Sequence, residues 1–230
     1  MLTSQINISF KVSHCFQPMI ATRHSLVARL KEHPCDSDWE KFYHLYEKPI
    51  LAVAAAKGLS ETDCQDVLQE TVVRMCRHGF ARYDPTRRFT PFLFGIVKDC
   101  AFDALRRRTR RSSHEVPIDA SETISYNPQK GPADRAVSPA DAAEVQGQLA
   151  LVGVALDFLL EHQTFAPKTV QMFKALVLEQ RNPTDVAKTF ATSRGNVDQA
   201  KSAVLRKLRP MYDALDKGLD LEAALHSVKP

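Results

Sequence analysis

The chain has 230 residues, of which 44 % are hydrophobic and 25 % are charged. This composition excludes a wholly disordered protein and is typical of a soluble globular chain with one or two domains. No apolar run approaches the roughly 20 residues that cross a bilayer, and the first twenty residues lack the apolar core of a secretory signal, so we expect a cytoplasmic protein without membrane insertion.

The residue types that build metal centres and active sites are not suitably spaced. The five cysteines form no C-x-x-C pair and the eight histidines form no H-E-x-x-H pair, so we predict no metal ligand and no cofactor. The sequence also lacks a phosphate-binding G-x-x-x-x-G-K-[ST] loop and a nucleophile elbow. We therefore predict no catalytic residue, and a helical enzyme is the least supported class of function.

Charge is unevenly distributed along the chain. Residues 1–111 carry a net charge of +6, residues 112–146 carry −4, and residues 147–230 carry +2. Polyanion binding depends on local clusters of lysine and arginine rather than on global charge, so both basic segments are candidates for binding nucleic acid.

Apolar residues recur at helical spacing on both sides of the acidic segment, and no strand-like alternation is present. We predict an all-α protein: a poorly structured N-terminus (1–21), a helical domain (22–111), a flexible linker (112–146), a second helical domain (147–215) and a tail (216–230). In the first domain, Pro49 should kink or divide a helix. A further helix is expected over residues 61–78, and Thr90 with Pro91 should begin another.

The first domain contains a basic and aromatic segment. Residues 105–111 hold five arginines in seven positions at the end of a predicted helix. Positive charge at a helix C-terminus is favourable in itself, so a purely structural role is one interpretation. Tyr83 and Phe89 lie near Arg82, Arg87 and Arg88, and such interleaving favours the stacking of unpaired bases.

The helix over residues 61–78 has an acidic face in an otherwise basic domain. Its members are Asp63, Asp66, Gln69 and Glu70. Such a face is either simply solvated or a contact with a basic or polar protein surface; it does not suit DNA.

Residues 182–209 carry the pattern of a helix-turn-helix. A short helix over 184–190 precedes a longer one to about residue 208, with Ala187, Ala191 and Val197 at the small and apolar positions that the motif requires. Ser193 is the predicted N-cap of the second helix. Its outward face carries side chains suited to base edges and phosphates, namely Arg194, Asn196, Gln199, Lys201, Ser202 and Arg206. The alternative is a helical hairpin with a solvated polar face.

Four segments in order resemble the extracytoplasmic-function (ECF) group of the bacterial sigma-70 family. They are D-C-Q-D-V-L-Q-E-T at 63–71, Y-D-P-T-R-R-F-T-P-F-L at 83–93, D-A-L-R-R-R at 103–108 and V-A-K-T-F-A-T-S-R-G-N-V at 186–197. The stretches T-R-H-S-L-V-A-R-L and A-K-S-A-V-L-R-K-L-R most resemble the planctomycete members. The resemblance begins after Met19, so we expect residues 1–18 to be dispensable.

The resemblance implies a sigma factor with regions 2 and 4. Asp63, Asp66, Gln69 and Glu70 would bind the clamp helices of the polymerase β′ subunit, and the second domain would meet the β flap. Promoter −10 DNA would be opened and bound by Tyr83, Arg87, Arg88, Phe89, Phe92, Lys98, Arg106 and Arg107. The −35 element would be read by Arg194, Asn196, Gln199, Lys201, Ser202 and Arg206. An anti-sigma protein is an expected partner.

Three positions depart from the family pattern. Phe92, Asp99 and Ala203 stand where tryptophan, asparagine and arginine are usual, which alters the expected promoter sequence rather than the class. The competing interpretation is a helix-turn-helix regulator that binds an operator without polymerase, as a dimer on two-fold symmetric half-sites.

Overall fold

The computed structural model describes residues 25–32, 34–112 and 139–227. These residues are helical apart from turns and one isolated antiparallel bridge between Ser25 and Leu219, which confirms the predicted all-α fold. The predictions for the N-terminal segment 1–21, including the dispensability of residues 1–18, and for residues 113–138 of the linker lie outside the described residues.

The helices follow one another with short connections. In chain order they are α1 (Leu26–Glu32), α2 (Asp36–Ala55), α3 (Glu61–Arg74), α4 (Phe80–Arg82), α5 (Phe89–Ser112), α6 (Pro139–Glu161), α7 (Pro167–Val177), α8 (Pro183–Thr189), α9 (Arg194–Asp216) and α10 (Leu221–Ser227). A π-helical turn over Met75–Gly79 joins α3 to α4.

Side-chain caps fix where several helices begin. The Ser60 hydroxyl accepts a hydrogen bond from the Asp63 amide at 3.2 Å, and the Asn182 side chain accepts one from the Thr184 amide at 2.9 Å. Each cap satisfies one of the amides that the first helical turn leaves without an intrahelical partner. Thr90, predicted as the N-cap before Pro91, lies instead inside α5, which begins at Phe89.

Pro49 does not divide α2. The helix runs without a break over Asp36–Ala55 although the proline lacks the amide hydrogen that would bond the preceding turn. Tyr46, Ile50 and Val53, on the same stretch of the helix, are at most 1 % exposed. Burial of these side chains offsets the cost of the proline, so the helix continues through it.

The core surrounds α2, which packs against α3, α5 and α6. Phe42 and Tyr46 of α2 meet Phe89 of α5, with ring centroids 6.2 Å and 5.4 Å away. Phe80 of α4 stacks against Phe89 at 6.4 Å. These rings fix α2, α4 and α5 relative to one another.

The start of α6 lies inside the segment predicted to be linker. Residues 139–146 form the first two turns of the helix, and Ser112, the first residue of the predicted linker, ends α5. Ala143 is fully buried there, and a Cβ at Gly147 would lie 2.5 Å from both Phe94 and Val53. The sequence did not predict these turns as helical because it is acidic, contains prolines and has small residues that form no apolar stripe. They serve instead to bring α6 close to α2.

Helix α6 is also the most apolar helix described. Residues 142–161 are long and apolar enough, by length and composition alone, to cross a membrane. In the structure this stretch packs against α2, α5, α7 and α9. Leu151, Ala155, Leu156 and Leu159 have no exposed surface. Its apolar character is therefore that of a core helix.

The two halves on either side of residues 113–138 share one hydrophobic core. The Tyr46 hydroxyl of α2 donates a hydrogen bond to the Leu215 carbonyl of α9 at 2.8 Å. A smaller, separate cluster is confined to α7, α8 and the first turns of α9. The second half is thus attached to the first by α6 and the C-terminal part of α9, while the cluster around α8 projects from them.

The segment assigned to the tail begins with ordered structure. It contains α10, whose Leu221 is 2 % exposed. Asp220, just before α10, pairs with Arg29 of α1 at 3.1 Å, and the same guanidinium pairs with Asp38 of α2 at 2.8 Å. The start of the tail is therefore fixed to the first half of the chain.

Candidate nucleic-acid interface

The segment predicted to form a helix-turn-helix is helical on both sides of a turn. Helices α8 and α9 are joined by a short turn, and the Ser193 side chain accepts a hydrogen bond from the Asn196 amide at 3.2 Å, so the predicted N-cap is confirmed. Val186, Val197 and Ala200 are buried between the two helices and α7. The motif consequently holds the start of α9 in a fixed orientation.

The turn adopts a conformation that side chains disfavour. Ala191 has a φ of +45°, in the left-handed region where glycine is the usual residue. The Ala191 amide donates to the Lys188 carbonyl at 3.2 Å and the Thr192 amide donates to the Ala187 carbonyl at 2.9 Å. These bonds close the end of α8 and hold the alanine in place despite the strain.

The outward face of α9 is exposed where the sequence predicts DNA contacts. All six candidate side chains are exposed: Arg194, Asn196, Gln199, Lys201, Ser202 and Arg206. Gln199, Ser202 and Arg206 line a shallow depression with Asp198 and Ala203. This face presents amide, hydroxyl and guanidinium groups, which are suited to base edges in the major groove.

Two aromatic residues expected to contact DNA lie in the core instead. Phe89 has no exposed surface and Tyr83 is 5 % exposed, with their rings 5.2 Å apart. Neither ring can stack on a base in this arrangement. Phe92 is half-buried and packs against Tyr83 at 5.4 Å. Aromatic residues near arginines in a sequence can either stack on DNA bases or pack in the core beneath a loop. The sequence pattern does not distinguish these two roles.

The loop between α4 and α5 is held from below by Tyr83. Its hydroxyl donates a hydrogen bond to the Arg87 carbonyl at 2.6 Å, and burial raises the pKa of Tyr83 to about 12. Asp84 accepts hydrogen bonds from the Thr86 amide and hydroxyl at 2.9 Å and 2.7 Å. Arg87 and Arg88 remain on the outside of this loop. The loop therefore exposes two guanidinium groups to solvent, and aromatic rings pack beneath it.

Two of the predicted DNA-binding cations are paired with carboxylates of the second half. Arg88 lies 2.9 Å from Asp216 of α9, whose side chain is 5 % exposed. Burial raises the pKa of Asp216, and Arg88 opposes that shift. Lys98 lies 2.9 Å from Glu144 of α6, and both side chains are mostly buried. Sequence analysis missed both carboxylates because they are distant in the chain and belong to no motif.

The arginine run is exposed at the end of α5. Arg106, Arg107, Arg108 and Arg110 all face solvent, and no ion pair joins them to a carboxylate among the described residues. Their positions at a helix C-terminus are favourable by themselves. They nevertheless leave a strong local positive charge at this end of α5, opposite the end that carries the loop of Arg87.

Some residues of the acidic face of α3 are bound within the protein, and others are exposed to solvent. The Asp63 carboxylate accepts a hydrogen bond from the Ser60 hydroxyl at 2.6 Å, at the helix cap. Arg74 pairs at 2.8 Å with Glu70 of its own helix and at 2.8 Å with Asp103 of α5, and the second of these ion pairs joins α3 to α5. Asp66 and Gln69 are exposed. They are the members of this face most available to another protein.

No group of three or more histidine, cysteine or acidic side chains among the described residues could hold a metal ion. Cys35, Cys64, Cys76 and Cys100 are free thiols.

The segment that carries α3, the arginine loop and α5 matches a known family. Residues 42–111 match the family model for sigma-70 region 2. No curated protein and no solved structure matches the chain. The match spans less than a third of the 230 residues and supports a sigma-70 family member.

Proposed function

We propose that this chain is a sigma factor of the ECF type, which binds core RNA polymerase, recognises −10 and −35 promoter elements and promotes DNA melting. One observation carries the proposal: a segment matching sigma-70 region 2 is followed, in the same chain, by a helix-turn-helix with an exposed polar face. The first suits polymerase and unpaired DNA, and the second suits the major groove.

The polymerase contact is assigned to α3. Asp66 and Gln69 are exposed on a helix whose position relative to α5 is fixed by Arg74. A basic partner such as the β′ clamp helices would complement this surface electrostatically. Asp63 and Glu70 lie on the same face and contribute by keeping the helix capped and oriented.

Recognition of the −10 element is assigned to the loop between α4 and α5 and to the outer face of α5. Arg87, Arg88, Lys98, Arg106 and Arg107 supply positive charge for the backbone, and Phe92 is the half-buried ring at this surface. Tyr83 and Phe89 act through the loop that they support.

Recognition of the −35 element is assigned to the start of α9. In this proposal Arg194, Asn196, Gln199 and Ser202 contact base edges, and Lys201 and Arg206 contact phosphates. A bidentate base contact contributes about 1 to 3 kcal/mol of discrimination. The second half of the chain would reach the β flap.

The proposal extends to the setting in which the protein works. It acts in the cytoplasm, where core polymerase and chromosomal DNA are found, and an anti-sigma protein is its expected regulator. Likeness to planctomycete members of the ECF group, carried by short stretches of sequence, is part of the same proposal.

The deciding experiment is run-off transcription from a genomic promoter library with purified core polymerase, with and without this protein. We expect new start sites that share a −35 and a −10 motif. No new starts, together with binding of the free protein to two-fold symmetric DNA sites, would favour an operator-binding regulator.

Variants test the assigned surfaces separately. Arg194→Ala and Gln199→Ala should each weaken −35 recognition by about 1 to 3 kcal/mol, whereas Lys168→Ala, exposed at the start of α7, should not. Unchanged footprints for both α9 variants would refute the assigned face.

For the polymerase surface, the double change Asp66→Lys and Gln69→Lys should abolish polymerase binding without loosening α3. Asp36→Lys, at an exposed position of α2, is the control for added positive charge. Full retention of binding by the double variant would show that α3 is not the interface.

A further inference from the structure

One aromatic ring on α5 faces solvent rather than the core. Phe102 is 47 % exposed, whereas Phe94 on the same helix has no exposed surface. Among the phenylalanine, tyrosine and tryptophan side chains that the structure describes, only Phe102 and Tyr43 are exposed to this extent. A ring in this position forgoes much of the free energy that burial would supply. Packing alone therefore does not explain its presence on a basic helix.

Three cations lie around this ring. The Lys57 ammonium is 5.1 Å from the centroid of the Phe102 ring, which is the distance of a cation–π contact. Lys98 and Arg106 lie four residues before and four residues after Phe102, so they flank it on the same face of α5. Burial and the charge of Lys98 lower the pKa of Lys57, because two ammonium groups are close together. We call Lys57, Lys98, Phe102 and Arg106 the Phe102 patch.

The cations of the Phe102 patch differ in their availability to a ligand. Lys98 is paired with Glu144 at 2.9 Å, and its side chain is 20 % exposed. Arg106 is exposed, and within the part of the chain that the structure describes no ion pair joins it to a carboxylate. Lys57 is half-buried, and its ammonium contacts the ring of Phe102. Lys57 and Arg106 are therefore the two cations of the patch best able to bind a phosphate.

The turn that ends α2 holds Lys57 at this place. The Lys57 amide donates a hydrogen bond to the Ala54 carbonyl at 3.0 Å, and the Gly58 amide donates one to the Ala55 carbonyl at 2.9 Å. Gly58 has a φ of +79°, in the left-handed region that glycine adopts without strain. The backbone that carries the Lys57 side chain is thus fixed beside α5.

We propose that Phe102 stacks on an unpaired base of the opened promoter and that Lys57 and Arg106 bind the phosphates beside that base. Proteins hold single-stranded nucleic acid in this way, with bases on aromatic rings and cations along the backbone. A base inside a duplex does not offer its face, so the patch binds melted DNA in preference to paired DNA. This inference rests on the proposed function, and it supplies the aromatic platform that Tyr83 and Phe89, buried in the core, do not provide.

The Phe102 patch is distinct from the loop between α4 and α5. Phe102 lies 13 positions after Phe89, the first residue of α5, which is about 20 Å along the helix. A strand bound at both places would follow α5 over much of its length. The base at Phe102 is therefore a different nucleotide from any that the Arg87 loop binds.

Photochemical cross-linking tests the stacking directly. The probes are single-stranded oligonucleotides that span the −10 region of a promoter identified by run-off transcription, each with 5-iodouracil at one position, bound by the protein in complex with core polymerase. Iodouracil that stacks on an aromatic ring forms a carbon–carbon bond to it on irradiation, with loss of hydrogen iodide. We expect one position to cross-link to the peptide that contains Phe102. Phe102→Leu should lose this product, and Phe102→Tyr, which keeps a ring, should retain it.

Affinity for the same strand without iodine gives a second readout. Phe102→Leu in complex with core polymerase should bind the single strand at least about fivefold more weakly than wild type, and Phe102→Tyr should bind it as wild type does. The matched control is Tyr43→Leu, because Tyr43 of α2 is 43 % exposed and lies outside the Phe102 patch. It should bind the strand as wild type does.

The salt dependence of binding tests the two cations. Lys57→Gln and Arg106→Gln should each reduce the slope of log affinity against log salt concentration by about 0.7, since each removes one contact with a single-stranded phosphate. Lys168→Gln, at an exposed position at the start of α7, is the control for loss of one positive charge and should leave the slope unchanged. Circular dichroism establishes that all variants remain helical.

The outcomes separate this inference from the proposed function. If wild type does not initiate transcription with core polymerase, the proposed function fails and this inference fails with it. If wild type initiates, but no oligonucleotide cross-links to Phe102 or Phe102→Leu binds the strand as tightly as wild type, only the stacking site is overturned. Equal weakening by Tyr43→Leu overturns it too. If Phe102→Leu does not fold, the wild-type cross-link and the salt slopes decide.

Discussion

Replacing Phe89 by alanine separates a core role of this ring from a base-stacking role. Phe89 is fully buried and contacts Phe42, Tyr46, Phe80 and Tyr83 at centroid distances of 5.2 to 6.4 Å. Its removal leaves a cavity bounded by rings on several helices. For a Phe→Ala change of this kind we expect a loss of about 3 to 5 kcal/mol in the free energy of unfolding.

Urea denaturation followed by circular dichroism measures this loss as a lower midpoint with an unchanged slope. Phe102→Ala is the matched control on the same helix. Phe102 is 47 % exposed, and its ring faces the Lys57 ammonium at 5.1 Å, a contact that contributes about 0.5 to 1 kcal/mol at exposed sites. A Phe89→Ala variant that is as stable as Phe102→Ala but defective in promoter melting would refute the assignment of Phe89 to the core.

Three further predictions concern stability. Ser193→Ala removes the cap of α9 and should cost about 0.5 to 2 kcal/mol; an unchanged urea midpoint would contradict the cap. Tyr46→Phe removes one hydrogen bond to the Leu215 carbonyl of α9, which keeps the one from the Gly218 amide, and should cost about 0.5 to 1.5 kcal/mol, with no change in midpoint as the contrary result. Burial acts to raise the pKa of Asp38, but hydrogen bonds, chiefly from Arg29, bring it below the ordinary value. This contribution to stability is therefore present above about pH 4 and lost as the pH falls through the lowered pKa. Arg29→Met should weaken that acid dependence in pH-dependent unfolding, and an identical profile would contradict it.

Local rules accounted for much of the second half of the chain. The serine cap at Ser193 and the small residues at Ala187 and Ala191 are short-range signals, and they were sufficient to place α8 and the start of α9. The exposed polar face of α9 followed from the same helical period. Such features depend on neighbours within a few residues, which a sequence displays directly.

Long-range packing decided the features that the sequence did not reveal. Tyr83 and Phe89 read as loop aromatics near arginines, yet α2 and α4 enclose them. The first turns of α6 were assigned to the linker because a small residue such as Ala143 gives no apolar signal in the sequence, and its full burial is visible only in the structure. The pairing of Arg88 and Lys98 depends on carboxylates from another part of the chain, for which no local pattern exists.

The π-helical turn at Met75–Gly79 limits how this chain can change in length. A π-helical turn holds one residue more than an α-helical turn. Loss of one residue there would restore regular α-helical bonding and rotate all that follows by about 100°. Phe80, whose ring lies 5.5 Å from Trp39 and 5.7 Å from Phe42, would then leave the core, and the arginine loop would shift with it. Among natural variants of this protein, insertions and deletions should therefore be tolerated in surface turns such as residues 162–166 and be rare in residues 75–79.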